Sequence, residues 1–220
     1  MKKPLSFFIL LIVSFVAIAN DNTPTIRVET NLGEGCHIAA TLPKGERSRM
    51  GGLREKQLGG FRVEPLPASW KSNMGEMYFS LRCLDAHDSD VSGPRLPIKY
   101  DPITDHWVKD MSGWIAKAKQ LPDKYDREFE LADINVRDAF EVNAVNAKGW
   151  VMTQKDITGE ESGRRHSLMF CLVRPPKALC GEGVTGYLID PQSDLTKHAL
   201  EIIRTIEFLP DVPAVEPLKP

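Results

Sequence analysis

Beyond residue 19 the chain has no apolar run long enough to cross a bilayer as a helix. It has no excess of positive charge. Lys and Arg number 28 against 30 Asp and Glu, a formal net charge of −2. That balance is a poor match to nucleic acid or to an anionic lipid surface. Only four cysteines are present and no two have C-x-x-C spacing, which argues against thioredoxin-like redox chemistry and against a structural zinc site. H-E-x-x-H, the phospholipase D-type H-x-K-x4-D and a glycine-rich phosphate loop are all missing, and with them the chemistry each serves. Ser162 lies between Gly159 and Gly163, but Glu160 stands where the G-x-S-x-G elbow needs glycine. Its flanks read as a hairpin, not as the strand–turn–helix that would expose a nucleophile.

What is present begins with the first nineteen residues. Met1, Lys2 and Lys3 form a short basic start, Leu5 to Val16 is almost wholly apolar, and Ala17-Ile18-Ala19 offers small residues to a signal peptidase. The pattern predicts a secretory leader cleaved after Ala19 and a periplasmic mature protein without a stable membrane anchor. No cysteine stands at the cleavage site, so a lipoprotein anchor is not indicated. Two of the 28 basic residues, Lys2 and Lys3, lie in the leader; the remainder carries 26 against 30 acidic residues, a net −4. Residues 20–209 are long enough for a single domain with a real core. The tail 210–220 contains four prolines and reads as extended and mobile.

In an oxidising compartment four cysteines predict two disulfides, with three possible pairings. Cys171 and Cys180 flank a segment that reads as a strand end and turn, which favours pairing them; Cys36 with Cys83 then follows by exclusion.

Along the chain, Thr25–Thr30 and Cys36–Leu42 read as a hairpin, and Pro43–Gly60 as a long exposed loop. Phe61–Pro65 reads as a short strand. Met77, Phe79, Leu81 and Cys83 alternate within a strand over Glu76–Leu84. Asp85–Pro97 is polar and reads as a loop. Trp107, Met111, Trp114, Ile115, Ala118 and Leu121 form an apolar stripe that predicts a helix over Thr104–Leu121, capped by Thr104 or Asp105. Glu128–Ile134, Phe140–Val145, Gly149–Ile157, Ser167–Val173 and Val184–Ile189 read as strands. Asp190 and Pro191 open a second helix with Leu195, Ala199, Ile202, Ile203 and Ile206 on its buried face, running into a closing strand at Thr205–Leu209. The fold class is α+β, a mostly antiparallel sheet with two main helices packed on it.

Candidate chemistry is thin. Asp85, His87, Asp88 and Asp90 put three carboxylates and an imidazole within six residues, but EF-hand spacing is missing and the segment reads as a solvated loop. His106 beside Asp105, with Ser162, is the best trio for a hydrolase assembled from distant residues. The segment from Lys44 to Lys56 interleaves arginines with apolar residues and can present forked donors on a protruding loop. The candidate partner-binding residues are therefore Arg47, Arg49, Met50, Arg54, Trp70 and Met74, followed by the acidic Asp88 and Asp90. No catalytic residue, metal or cofactor is assigned.

The hairpin Ser167–Val173 with Val184–Ile189, followed by the helix Asp194–Arg204 and the strand around Ile206–Phe208, resembles the close of exported PsbP/Mog1-like α/β domains. The layout of cleavable leader, about 200 residues, few cysteines and no catalytic signature resembles periplasmic immunity proteins of type VI secretion systems. Among those it is most similar to the ones that neutralise phospholipase effectors. The resemblance implies binding without catalysis, a secreted effector as partner, and no nucleic acid. It carries no residue role across. A PsbP/Mog1-like envelope-stress or small-ligand binder and a secreted hydrolase stay open as alternatives.

Overall fold

A computed structural model describes residues 23–93 and 96–211; the leader at 1–19 and residues 212–220 of the tail lie outside the described residues. The chain forms an α+β fold dominated by antiparallel strands. β1 (Thr25–Asn31) and β2 (His37–Pro43) make the expected first hairpin. β3 (Arg49–Leu53), β4 (Leu58–Val63) and β5 (Met77–Asp85) follow. A short α1 (Ser89–Ser92), the hairpin β6 (Ile98–Asp101) and β7 (His106–Lys109), and the helices α2 (Ser112–Lys119) and α3 (Lys124–Asn135) come next. β8 (Arg137–Asn143), β9 (Lys148–Lys155), β10 (Arg165–Arg174) and β11 (Lys177–Tyr187) form a meander, and α4 (Thr196–Arg204) with β12 (Glu207–Phe208) closes the chain.

Seven strands share one sheet in the order β3-β4-β5-β11-β10-β9-β8, and a smaller sheet has the order β1-β2-β12. Alternation sorts the side chains of the large sheet onto two faces. The inner face carries Phe61, Met77, Phe79, Leu81, Phe170, Leu172 and Leu179, all buried. Against it pack Ile38, Ala40 and Leu42 of β2, Ala199, Ile202 and Ile203 of α4, and Ile206 and Phe208 after α4. Phe61 stacks on Phe79 with ring centroids 5.0 Å apart, and Phe170 tilts against Phe79.

The disulfides fall on opposite faces. Cys36–Cys83 spans 47 residues and ties the lead-in to β2 to β5, linking the small sheet to the large one. Cys171–Cys180 joins directly opposed residues of β10 and β11 on the outer face. On chain entropy the longer loop is worth about 4 kcal/mol and the shorter about 3 kcal/mol.

Several sequence expectations need correction. Pro43–Gly60 is not a loop: β3 and the start of β4 lie within it. Its glycines are there because the backbone must be approached closely. A Cβ on Gly52 or Gly59 would come within 2.1 or 2.6 Å of the Leu32 side chain, so only glycine lets Leu32 pack across the hairpin. Asp85–Pro97 contains α1, with the Asp88 carboxylate accepting from the Asp90 N–H at its N-cap.

Thr104–Leu121 is not one helix. Asp101 accepts from the Ile103 N–H and the Thr104 hydroxyl, a local turn that folds β7 back on β6. Trp107 is consequently buried from a strand, and α2 starts only at Ser112, whose N–H and hydroxyl donate to Asp110. Glu128–Ile134 is not a strand but lies within α3. Asp123 caps that helix, accepting from the Tyr125 and Asp126 N–H groups at 2.7 and 3.1 Å, worth about 1 kcal/mol.

Candidate binding surface

The outer face of the large sheet is half covered. At one end α1, the β6–β7 hairpin and α2 close over Trp150, Met152, Cys171 and Ala178. Trp150 is fully buried there and its indole N–H donates to the Val91 carbonyl at 2.9 Å. The cover is held at its rim by charge. Lys109 reaches Asp138 at 2.7 Å, His106 Nδ1 lies 3.1 Å from Glu141, and Lys148 pairs with Asp105. Burial pushes the Glu141 carboxyl upward, but the Trp107 N–H and His106 more than offset it, so its pKa sits below the usual range. Lys109 likewise holds Asp138 low, and Lys148 together with the Tyr100 hydroxyl holds Asp105 low.

The other half of the outer face is open. A groove of 860 Å³ runs over it, lined by Met74, Tyr78, Ser80, Gln154, Met169 and Glu182 among others. Ser80, Met169 and Glu182 also border a second hollow of 320 Å³ that leads under the cover to Trp114, Trp150, Met152 and the Cys171–Cys180 disulfide. Trp114 and Arg137 continue the surface into a cleft of 390 Å³ between α2 and α3. The Arg137 guanidinium sits 4.8 Å from the Trp114 ring centroid and forks onto the Asp133 carboxylate. Gln154 adds a 3.0 Å hydrogen bond to Asp133. These contacts fasten the C-terminal end of α3 to β8 and β9.

The rest of α3 lies along α2, with Arg127 and Leu131 half-buried. Of its twelve residues only Ile134 is buried. Tyr125 is 79% and Phe129 46% exposed. Side chains one helical turn apart are neighbours on the helix surface.

The expected contact residues are dispersed. Met74 and Asp90 line the joined grooves, Asp90 lying 3.8 Å from Arg82. Arg49 is on the same face, at the rim of a hollow bordered by Tyr78. Arg47 pairs with Glu64 at 2.8 Å and Arg54 sits in the turn between β3 and β4. Met50 packs against the core. Trp70 also packs there, its ring 4.2 Å from that of His198 on α4. Asp88 is a helix cap. The basic segment is therefore not one surface.

The hydrolase trio is not brought together either. Asp105 accepts from Lys148 at one end of β9. Ser162 lies in the turn beyond the other end of β9, eight residues or roughly 25 Å along the sheet. Among the described residues no three His, Cys, Asp or Glu side chains form a metal-holding group. Asp85 pairs with Lys177 at 2.7 Å.

Tyr78, Met169, Glu182, Arg137, Tyr125 and Phe129 are the surface residues sequence reasoning missed. The alternation in β5 that reveals Met77, Phe79, Leu81 and Cys83 as core equally places Tyr78, Ser80 and Arg82 on the opposite face, and that was the available signal. No family model, no curated protein and no solved structure matches this chain.

Proposed function

We propose that the chain is an exported binding protein that neutralises a secreted effector of the phospholipase class by covering its active site or its membrane-facing surface, as a periplasmic immunity protein does. The observation that carries the reading is the surface formed by α2, α3 and the open half of the sheet. Two helices there bury only Ala118 and Ile134, beside joined grooves with exposed tyrosine, methionine and phenylalanine. A core-building role would bury them. Two disulfides fit an oxidising compartment such as the periplasm, and a pinned sheet supplies the preorganisation that tight occlusion needs.

The test is direct. The purified mature protein, titrated with the secreted lipase encoded beside its own gene, is expected to bind at nanomolar Kd or tighter (about −12 kcal/mol) and to stop vesicle hydrolysis at one equivalent. No such neighbouring gene, no complex, or a complex that leaves hydrolysis intact overturns the proposal.

A second reading has its own support: α4 leading into β12 is the close expected of a PsbP/Mog1-like layout, and the 320 Å³ hollow is of ligand-pocket size. Intact mass measured under native conditions, showing a bound small molecule after purification from periplasm, would favour it.

A further inference from the structure

Resting on the effector-binding reading, we propose that α3 is the inserted element: its Tyr125–Phe129 row, flanked by carboxylates, enters a cationic, apolar-walled cleft on the partner protein.

Three observations lead there. The first is exposure without disorder of position. Tyr125 is largely and Phe129 about half solvated, yet the helix bearing them is capped by Asp123 and fastened to β8 by the Asp133–Arg137 fork. A free peptide of twelve residues would be marginally helical at best. Anchored, it loses little entropy on docking.

The second is the sign of the charge. Asp126 and Glu130 follow Tyr125 and Phe129 by one residue each, about 100° further round the helix, and Glu130 borders the cleft between α2 and α3. Among the described residues neither carboxylate has an ion pair, whereas Glu128 lies 3.7 Å from Lys124. The basic residue within this stretch is turned away. Arg127 folds back to donate to the Leu121 and Pro122 carbonyls at 2.5 and 2.9 Å. The Tyr125–Phe129 row thus has two unpaired carboxylates, Asp126 and Glu130, on one flank and the Lys124–Glu128 pair on the other.

The third is chemical fit. A helix with anchors at i and i+4 docks in a groove with apolar walls, and a carboxylate rim is complementary to a basic one. An enzyme that cleaves phospholipid must accept an anionic phosphate next to an apolar acyl path. A Tyr/Phe row beside two carboxylates offers both features to one cleft.

The experiment uses the full mature chain and the neighbouring secreted lipase. Tyr125→Ala with Phe129→Ala is expected to weaken the complex by about 30-fold per anchor, with the urea midpoint unchanged. Asp126→Lys with Glu130→Lys is expected to slow association about tenfold at low ionic strength and to flatten its dependence on salt. Parent affinity and parent salt dependence in both variants would overturn the inference while leaving effector binding intact. Failure of the unaltered protein to bind overturns the effector reading, and this inference with it.

Discussion

Two helical regions of this molecule are held in place by different physics. α4 turns Ala199, Ile202 and Ile203 into the core between the two sheets. α2 and α3 together bury just Ala118 and Ile134. α4 is a helix because a helix is the shape that covers the inner face of the sheet. α2 and α3 are helices because of caps, a guanidinium fork and a backbone-directed arginine. α2 and α3 thus maintain twenty helical residues with only Ala118 and Ile134 fully buried, next to an open groove.

The contrast is most sharply broken or sustained on the α4 side. Ile203 is fully buried, and Ile203→Ala should destabilise by about 2–5 kcal/mol through lost transfer energy and the cavity left behind. Urea unfolding reads this directly. Phe129→Ala on α3 should fall within about 0.5 kcal/mol of the parent. A comparable loss at both positions would mean that α3 belongs to the cooperative core after all.

Next in size is the tether. Arg137 and Asp133 are 18% and 15% exposed, so Arg137→Ala removes a charge-assisted pair that water screens only partly, an expected cost of about 1.5–3 kcal/mol. Its distinctive consequence is local. Amide exchange should accelerate across α3 while α4 stays protected. Uniform acceleration in both helices would show that the tether serves global stability instead.

Legibility in sequence divides along the same line. The hairpin β1–β2, the alternation of Met77, Phe79, Leu81 and Cys83, the strands around 140–173 and the apolar face of α4 were all readable, because burial imposes a period on sequence. Both disulfide pairings were readable too, since Cys171 and Cys180 frame a turn. Over 104–135 the expected helix holds only for α2, while β7 replaces its start and α3 stands where a strand is expected. There the conformation is set by single polar contacts: the Asp101 turn, the Asp123 cap, and Glu141 accepting from the Trp107 N–H at 2.8 Å. Such contacts leave no periodic trace. The Tyr125–Phe129 row leaves no periodic trace for the same reason, and the arginine-rich stretch 47–54 leads into and forms part of a glycine-rich hairpin.

The smallest expected effect concerns how acid acts on the two regions. His166, beneath the start of α4, lies 3.3 Å from the Thr196 hydroxyl and 3.7 Å from Asp194. Burial lowers its pKa below 6.5, with Lys155 acting in the same direction and Asp194 opposing. Its neutral form is therefore the one the fold favours. The stability this gives is complete above the unfolded value of 6.5 and is lost as pH falls through the folded value, because the unfolded chain takes up the proton first. The rim of the α2 side depends on carboxylates held low, Glu141 and Asp138. Their contribution persists above the ordinary carboxylate pKa and is lost only in stronger acid. Between about pH 7.5 and 5.5, in the histidine range, the urea midpoint should consequently drop more in the parent than in His166→Gln. Equal drops would remove His166 from the account. A drop that persists in His166→Gln but is lost in Glu141→Gln would transfer the acid response from the α4 anchorage to the outer cover, reversing the contrast between the two regions.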